Sequence, residues 1–298
     1  MRKNRTRTRT RTDAHTGGGL RREVPSTLGL LADARDFAAM RHYRTFTFDD
    51  HRQYLRHVED LLRSLAAEGI HTTVALFDPE EYAGYCAETG LDPDTPDART
   101  RFTAELAGTG AVLPYTGQPI DELVPLLVDE AVRQATREYA AELLSRLGDC
   151  ADCGEDIGRS SLTQAAETVH RLLTTAGPGR HHLVCSIPAD EQQLIAVLHA
   201  DTGHGTTPDA LSGGLDFTTV LAAGLALGGT GGVVLRTTAH GADRVHGWRL
   251  QGGTLVPLPA AAVFNAYCTD ADTGDPVAPE PGVEYCPGFP VDVPRPHH

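Results

Sequence analysis

The pattern of hydrophobic and polar positions alternates along the first half of the chain between helical and strand periodicity. Apolar residues recur at helical spacing in four segments, at 49–67, 78–90, 95–106 and 125–147. Shorter apolar runs at 72–77 and 111–115 lie between these segments and predict buried strands. Strands that alternate with helices indicate a mainly parallel sheet with helices on both faces. We therefore predict an α/β domain over residues 26–147.

The start of this domain carries a helix signal of its own. Ser26 is a suitable N-cap residue, and the apolar residues after it follow at helical spacing, which predicts a helix over 26–43. The alternation from Thr45 to Phe48 then predicts a short strand. Residues 1–25 are rich in Arg, Thr and Gly, a composition that predicts a disordered basic tail.

The pattern changes after residue 148. A short polar segment and a helix fill residues 148–178, and we predict a cysteine knuckle with a connecting helix there. Strand-like runs then predominate over 179–268, and Gln251-Gly252-Gly253 has the composition of a hairpin turn. This part is predicted to be an α+β domain with more antiparallel pairing. Residues 269–298, rich in Pro and Asp, predict an extended C-terminal tail.

A repeated frame indicates a distant internal duplication of the two lobes. Val74-x-Leu76 leads through a helix-like stretch to Tyr85-Cys86, and Val256-x-Leu258 leads at the same spacing to Tyr267-Cys268. Both Tyr and Cys are scarce in this chain, so the frame predicts two similar strand–loop–helix units. The predicted fold class is thus α/β, with a mainly parallel N-terminal lobe and an α+β C-terminal lobe.

The composition excludes several classes of enzyme. Lys3 is the only lysine among 26 basic residues, as expected of genes with high GC content such as those of actinobacteria. P-loop NTPases, protein kinases and pyridoxal-phosphate enzymes each require a lysine in the folded domain. A hydrophobic content of 40% with 22% charged residues is typical of a globular protein. No apolar run is long enough for a membrane span.

The charge is distributed unevenly along the chain. The net charge is -14, yet the first twelve residues carry six basic side chains, between Arg2 and Arg11, and no acidic one. The strongly acidic remainder repels nucleic acid, so we expect nucleic-acid contact only through the Arg2–Arg11 tail. The N-terminus is not apolar enough for a secretory signal, and we predict a cytoplasmic protein with reduced thiols.

Cys150-Ala-Asp-Cys153-Gly is the most metal-like motif of the sequence. A Cys-x-x-Cys-Gly turn directs both thiolates to one tetrahedral zinc, so we predict a structural zinc at Cys150 and Cys153. Two more ligands are required, and His170 is the weakest of the candidates because its spacing fits no standard zinc motif. A redox pair and two thiols in a plain loop remain as alternatives.

A second group of candidate residues follows a strand-like run. His199, Asp201 and His204 lie at its end, and His240 lies in a later turn. Imidazoles and a carboxylate that converge from neighbouring strand ends hold Zn, Fe or Mn and activate water in metal hydrolases. The alternative is that these residues lie separately in solvated hairpin loops.

Acidic residues also follow the N-terminal strands, as expected for a Mg²⁺ site in an open α/β sheet. The set comprises Asp49, Asp50, Asp78, Glu80 and Glu81. Asp78-Pro79-Glu80-Glu81 equally fits a helix start, with Asp as N-cap and Pro at the first helical position. Helix capping is the interpretation that we favour.

We thus expect a non-catalytic regulatory or protein-interaction module, because no complete catalytic constellation is present in the sequence. A protein partner is expected, a structural zinc is the expected cofactor, and the sequence does not give the oligomeric state. A metal-dependent hydrolase or phosphoesterase, using the group around His199 or the strand-end acids, is the alternative.

Overall fold

The computed structural model describes residues 26–189, 192–203, 211–270 and 273–293, so the predicted basic tail lies outside the described residues. The backbone divides into two compact units between Ala131 and Val132. Helices are present with a mixed sheet in each unit, and the protein is therefore a mixed α/β protein. Within the described residues, no helix has both the length and the apolar character needed to cross a bilayer.

The first unit is built on a sheet of three strands with the order β1-β2-β3. Its described elements are β1 (Ser26–Leu30), α1 (Ala34–Met40), α2 (His51–Ala67), β2 (Thr72–Leu76), α3 (Pro79–Thr89), α4 (Pro96–Thr109) and β3 (Val112–Pro114). Strands β1 and β2 are parallel, whereas β3 runs antiparallel to β2. The sheet is therefore mixed, with one parallel pair out of two.

The predicted helix over 26–43 is present only as α1, over Ala34–Met40, and the predicted strand over 45–48 is wrong. Residues 26–30 form β1 because they pair in register with β2 at the centre of the sheet, which overrides the weak helical spacing. The helix begins only at Ala34, where the Asp33 side chain accepts the N–H groups of Arg35 and Asp36. Residues 45–48 form no strand, and Asp94 accepts the backbone N–H of Thr45 instead.

The core of the first unit is rich in aromatic side chains. Phe77 contacts Tyr82 and Phe102, with ring centroids 5.2 and 5.1 Å away. Helix α4 packs on β1 and β2, and α2 packs on β2. Val74 and Ala75 are consecutive in β2 and are 0% and 1% exposed. Because successive strand residues point to opposite faces, both faces of this sheet are covered at its centre.

The second unit is built on a sheet of seven strands. Helix α5 (Ile120–Ser145) leads into it, and its described elements are α6 (Ile157–Ala176), β4 (Arg180–Ala189), β5 (Gln192–Asp201), β6 (Leu211–Ser212), α7 (Gly214–Leu227), β7 (Gly231–Ala239), β8 (Ala242–Gln251), β9 (Thr254–Pro257), α8 (Ala260–Tyr267) and β10 (Val283–Tyr285). The order is β10-β8-β7-β4-β5-β6, and β9 also pairs with β8. All pairs are antiparallel except β10 with β8.

Most predicted elements of this half are present. The predicted hairpin turn joins β8 to β9, and Gly252 and Gly253 have φ values of 53° and 71°, which favour glycine. Within the described part of the predicted extended tail, residues 283–285 pair with β8 as β10, and Thr269 forms an isolated bridge with Pro276. The repeated Tyr-Cys frame lies on a strand followed by a helix in both units, but β2 has a parallel neighbour and β9 has an antiparallel one.

The core of the second unit lies on one face of its sheet. Alternate residues of β4, including Leu183, Cys185 and Ile187, are at most 1% exposed and belong to one cluster with the buried residues of α6 and α7. Helix α7 packs on β4 and β5, and α6 packs on α7. The residues between them in the sequence, His182, Val184 and Ser186, are only half-buried. They point to the opposite face, which we call the open face.

Candidate functional site

The segment between α5 and α6 forms a tight turn around the two cysteines of the Cys-x-x-Cys motif. Asp149 pairs with Asp156 as an isolated antiparallel bridge, and the N–H of Cys150 donates to the carbonyl of Glu155 at 2.8 Å. The N–H of Gly154 in turn donates to the carbonyl of Cys150. Gly154 has a φ of 74°, a value that glycine adopts without steric cost. We call residues 149–156 the knuckle.

Both sulfur atoms of the knuckle accept backbone hydrogen bonds. The N–H of Cys153, followed by the N–H of Asp152, lowers the pKa of the Cys150 thiol below its usual value. The N–H of Glu155 acts in the same direction on Cys153, but the adjacent Cys150 thiol, burial and the Glu155 carboxylate together raise the pKa of Cys153. The two thiols are hydrogen-bonded to each other, and neither forms a disulfide. This arrangement presents two sulfurs side by side.

The structure does not bring His170 to the knuckle. Asp156 caps α6, so the knuckle lies at the start of this helix, whereas His170 lies about 20 Å further along it at 1.5 Å per residue. A single zinc ion requires ligands about 2 Å from the metal. His170 instead lines a cavity of about 310 Å³, together with Leu173, Thr174, Gly177, Pro178 and Thr202.

The structure describes three of the four residues of the predicted hydrolase site. His199 and Asp201 are exposed on β5, and Asp201 accepts the backbone N–H of Gly203 at 2.9 Å. His240 has a φ of 53° in the two-residue turn between β7 and β8. Since β4 separates β5 from β7, about 10 Å lies between Asp201 and this hairpin. His204 lies outside the described residues. Among the residues that are described, no three His, Cys, Asp or Glu side chains form a group that could hold a metal ion.

His199 has a different neighbour from those predicted. It pairs directly with His182 on β4, and the two Nδ1 atoms are 3.2 Å apart on the open face. Burial, followed by the proximity of His199 and Arg236, lowers the pKa of His182. The sequence analysis missed this pair because 17 positions separate the two residues, and only the strand register makes them neighbours.

Arg236 lies beside His182 on the open face, and its guanidinium donates hydrogen bonds to two carboxylates. It pairs with His182 across β7 and β4, and its Nε donates to Asp243 at 2.8 Å. Its terminal nitrogens also donate to both carboxylate oxygens of Glu280, at 2.9 and 2.7 Å. Hydrogen bonds to Glu280 and then to Asp243 raise the pKa of Arg236, while Arg236 lowers the pKa of Glu280. The network ties the segment before β10 to the sheet.

His181, next in sequence to His182, points to the buried side and is 2% exposed. Its Nδ1 lies 3.0 Å from the hydroxyl of Thr237, and its Nε2 lies 2.8 Å from the hydroxyl of Thr202. Burial is the main cause that lowers the pKa of His181. This histidine connects the ends of three strands through hydrogen bonds.

Two of the acids predicted to follow strands in the first unit cap helices, as we favoured, and of these only Asp78 follows a strand. Asp50 accepts the N–H of Gln53 at the start of α2. Asp78 accepts the N–H groups of Glu80 and Glu81 at the start of α3, and Pro79 occupies the first turn. These carboxylates are therefore engaged by the backbone of the helices that they begin.

The open face of the second sheet carries a continuous apolar row. Val184 pairs with Val234 on one side and with Val197 on the other, and all three are half-buried. Ile195 lies two residues from Val197 on β5, on the same face, and is 54% exposed. Helix α8 covers the sheet over β8, where Val263 lies beside Gly247. Val234, Val184, Val197 and Ile195 thus form one apolar row across β7, β4 and β5 on this face.

Comparisons with known proteins concern mainly the first unit. Residues 14–118 match a family model described as "Domain of unknown function (DUF8829)". The matched range is less than half of the chain, and it ends before the knuckle and the second sheet. No curated protein and no solved structure shows a significant match to the chain.

Proposed function

We propose that this protein is a non-catalytic interaction module with a regulatory role in the cytoplasm, and that a partner protein binds to the open face of its second sheet. The observation that carries this proposal is the row formed by Val234, Val184 and Val197, which continues to the exposed side chain of Ile195. Contiguous apolar surface on one side of a sheet is typical of a site of protein association.

The polar residues around the row indicate what such a partner presents. His182 and His199 lie on one side of it, and the exposed Arg249 lies on the other. Arg236 continues the side with the histidines, and its guanidinium donates to Asp243 and Glu280. The residues that directly flank the row are thus two imidazoles and the guanidinium of Arg249, on a chain with a net charge of -14. We therefore infer a partner with an apolar segment flanked by carboxylates, which complements both features.

The proposal is tested by capture of proteins from a lysate of the source organism, with the wild-type chain and Val197→Arg as baits. Arginine at position 197 places a charge in the apolar row without entering the core, because the side chain points to the open face. We expect Val197→Arg to reduce the retention of a specific acidic partner by at least about tenfold. A direct titration of that partner, once purified, then measures its affinity for the wild type and for the variant.

Leu227→Arg serves as the matched control, because Leu227 is 44% exposed at the end of α7, on the covered side of the sheet. A cation at a helix C-terminus is also tolerated electrostatically. The control should retain the partner as the wild type does. Equal binding of the partner to Val197→Arg and wild type would contradict docking on the open face.

The alternative function, a metal-dependent hydrolase or phosphoesterase, stays a prediction. It needs three or more ligands around one ion, and the described residues supply His199 with a single imidazole neighbour, His182. Nucleic-acid binding through the Arg2–Arg11 tail also stays a prediction, because that tail lies outside the described residues.

A further inference from the structure

The knuckle has the backbone geometry of a metal-binding turn. The bridge between Asp149 and Asp156 closes the turn, and both sulfurs accept N–H groups of the same short segment. The backbone of this turn therefore holds both sulfurs of the motif on one short, closed segment.

The knuckle supplies two of the four ligands that a closed zinc site requires. Structural zinc is four-coordinate and tetrahedral, with Cys and His as its usual ligands. Throughout the described ranges, no third His, Cys, Asp or Glu is placed to join Cys150 and Cys153 around an ion. Asp156 is the N-cap of α6 and accepts the N–H of Arg159 at 2.6 Å. The described residues of this chain therefore supply two of the four ligands.

The position of the knuckle on the surface allows a second chain to approach it. Residues 151–156 are all exposed, including Cys153, whereas Cys150 is 6% exposed beneath them. A second copy related by a twofold axis would bring the same two sulfurs to the same point, and such self-complementary contacts are the commonest in homo-oligomers. The ligand count then reaches four without any other residue.

We propose that Cys150 and Cys153 form half of a tetrahedral zinc site that a second copy of this chain completes with its own two thiolates. Four thiols bind one Zn²⁺ as thiolates and release four protons to solvent, with no change in oxidation state. The assembly is a zinc-bridged homodimer with one ion for two chains. This proposal does not depend on partner binding at the open face, which is a separate surface.

The carboxylates of the knuckle set a condition on this dimer. Asp149, Asp152 and Glu155 lie in the same short segment as the two cysteines, so two copies bring like charges together. Salt screens exposed charges over about 10 Å at 0.1 M, and it should weaken this repulsion more than it weakens the metal–sulfur bonds. We therefore expect the zinc-dependent dimer to tighten as the salt concentration rises.

The experiment uses the full chain, reduced and stripped of metal with a chelator that is then removed. Zn²⁺ is titrated into it, with the mass followed by native mass spectrometry and sedimentation velocity. We expect a monomer that becomes a dimer at one zinc for two chains. Co²⁺ used in place of Zn²⁺ should give the intense sulfur-to-cobalt absorption of a four-thiolate site.

Cys153→Ser should lose both the zinc and the dimer, and circular dichroism shows whether this variant is folded. Cys286→Ser is the matched control, because Cys286 is a half-buried thiol on the same chain and remote in sequence from the knuckle. Zinc bound to a monomer at one ion for each chain would overturn the proposal. So would a dimer that persists after metal removal, or zinc retained by a folded Cys153→Ser variant.

Discussion

The two sheets of this protein differ in how many of their faces are covered. At the centre of the first sheet, consecutive residues Val74 and Ala75 are both buried, because helices and aromatic side chains close both faces. At the centre of the second sheet, Leu183 is fully buried while the next residue, Val184, is half-buried. Helices α6 and α7 close one face of that sheet, and α8 covers only part of the other.

The same contrast holds for the polar residues. In the first unit, Asp50 and Asp78 accept backbone N–H groups as helix caps. In the second unit, His182 and His199 lie on a face that no described helix covers over β4 and β5. Side chains that are not needed to hold their own unit together are the ones able to bind something else. This contrast is why we place the interaction surface on the second unit.

The largest expected effect comes from introducing a charge at the three buried positions, Val74, Ala75 and Leu183, with the half-buried Val184 as the comparison. Val74→Arg, Ala75→Arg and Leu183→Arg should each unfold their unit, because burying an unpaired charge costs several kcal/mol out of a total stability of about 5–15 kcal/mol. Val184→Arg should change the free energy of unfolding by less than about 1 kcal/mol. Urea denaturation followed by circular dichroism measures these values. If Val184→Arg is as damaging as Leu183→Arg, the second face is covered after all.

A smaller and sharper test compares two neighbours on β5. Leu198 is 0% exposed on the covered face, and Val197 is half-buried on the open face. Leu198→Ala should lower the free energy of unfolding by about 2–5 kcal/mol, since it leaves a cavity in the core. Val197→Ala should lower it by about 1 kcal/mol or less. Similar losses for the two variants would remove the distinction between the faces.

The next effect concerns the carboxylates. Asp78→Ala should destabilise the first unit by about 1 kcal/mol, because it removes the side chain that accepts the N–H groups of Glu80 and Glu81. Asp201→Ala is the comparison in the second unit, where one exposed turn contact to Gly203 is lost, and we expect a change within about 0.5 kcal/mol. Thermal denaturation at pH 7 compares the stability that each of the two variants loses. A larger loss for Asp201→Ala would give that residue a structural role that its contacts do not explain.

The smallest expected effect is a dependence on pH. Burial lowers the pKa of His181 below 6.5, so the unfolded chain binds its proton more readily than the folded one. The contribution to stability is thus fully present above about pH 6.5 and declines as the pH falls through that value. His181→Gln should show a shallower loss of stability between pH 7.5 and 5 than the wild type, measured by urea denaturation at each pH. An unchanged slope would assign the pH dependence to other groups.

Much of the fold was predictable from local patterns. The helices α2, α3 and α6 each begin at an Asp N-cap, and the glycine pair after Gln251 predicted the turn between β8 and β9. The prediction failed for residues 26–30 because helical spacing and strand alternation are hard to distinguish over five residues. Strand β10 was missed because its alternating Val-Glu-Tyr segment is only three residues long, and its pairing with β8 is a long-range contact.

The candidate sites divide in the same way. The Cys-x-x-Cys-Gly motif predicted the knuckle because all of its hydrogen bonds are local, within eight residues. The group around His199 was selected by proximity in sequence, whereas strand order separates Asp201 from His240 and places His182 beside His199. No local pattern contains this information, because it depends on which strands pair and in which register.

The sequence by itself thus determined the mixed α/β class, the helix caps, the hairpin turn and the knuckle. These features depend on backbone preferences and on hydrogen bonds between residues a few positions apart. Only the tertiary structure decided that the first sheet is covered on both faces, that the second has an open face with a valine row, and that two histidines share that face. Those outcomes depend on long-range packing, since the burial of a side chain is set by the elements that lie against it and not by its own neighbours in sequence.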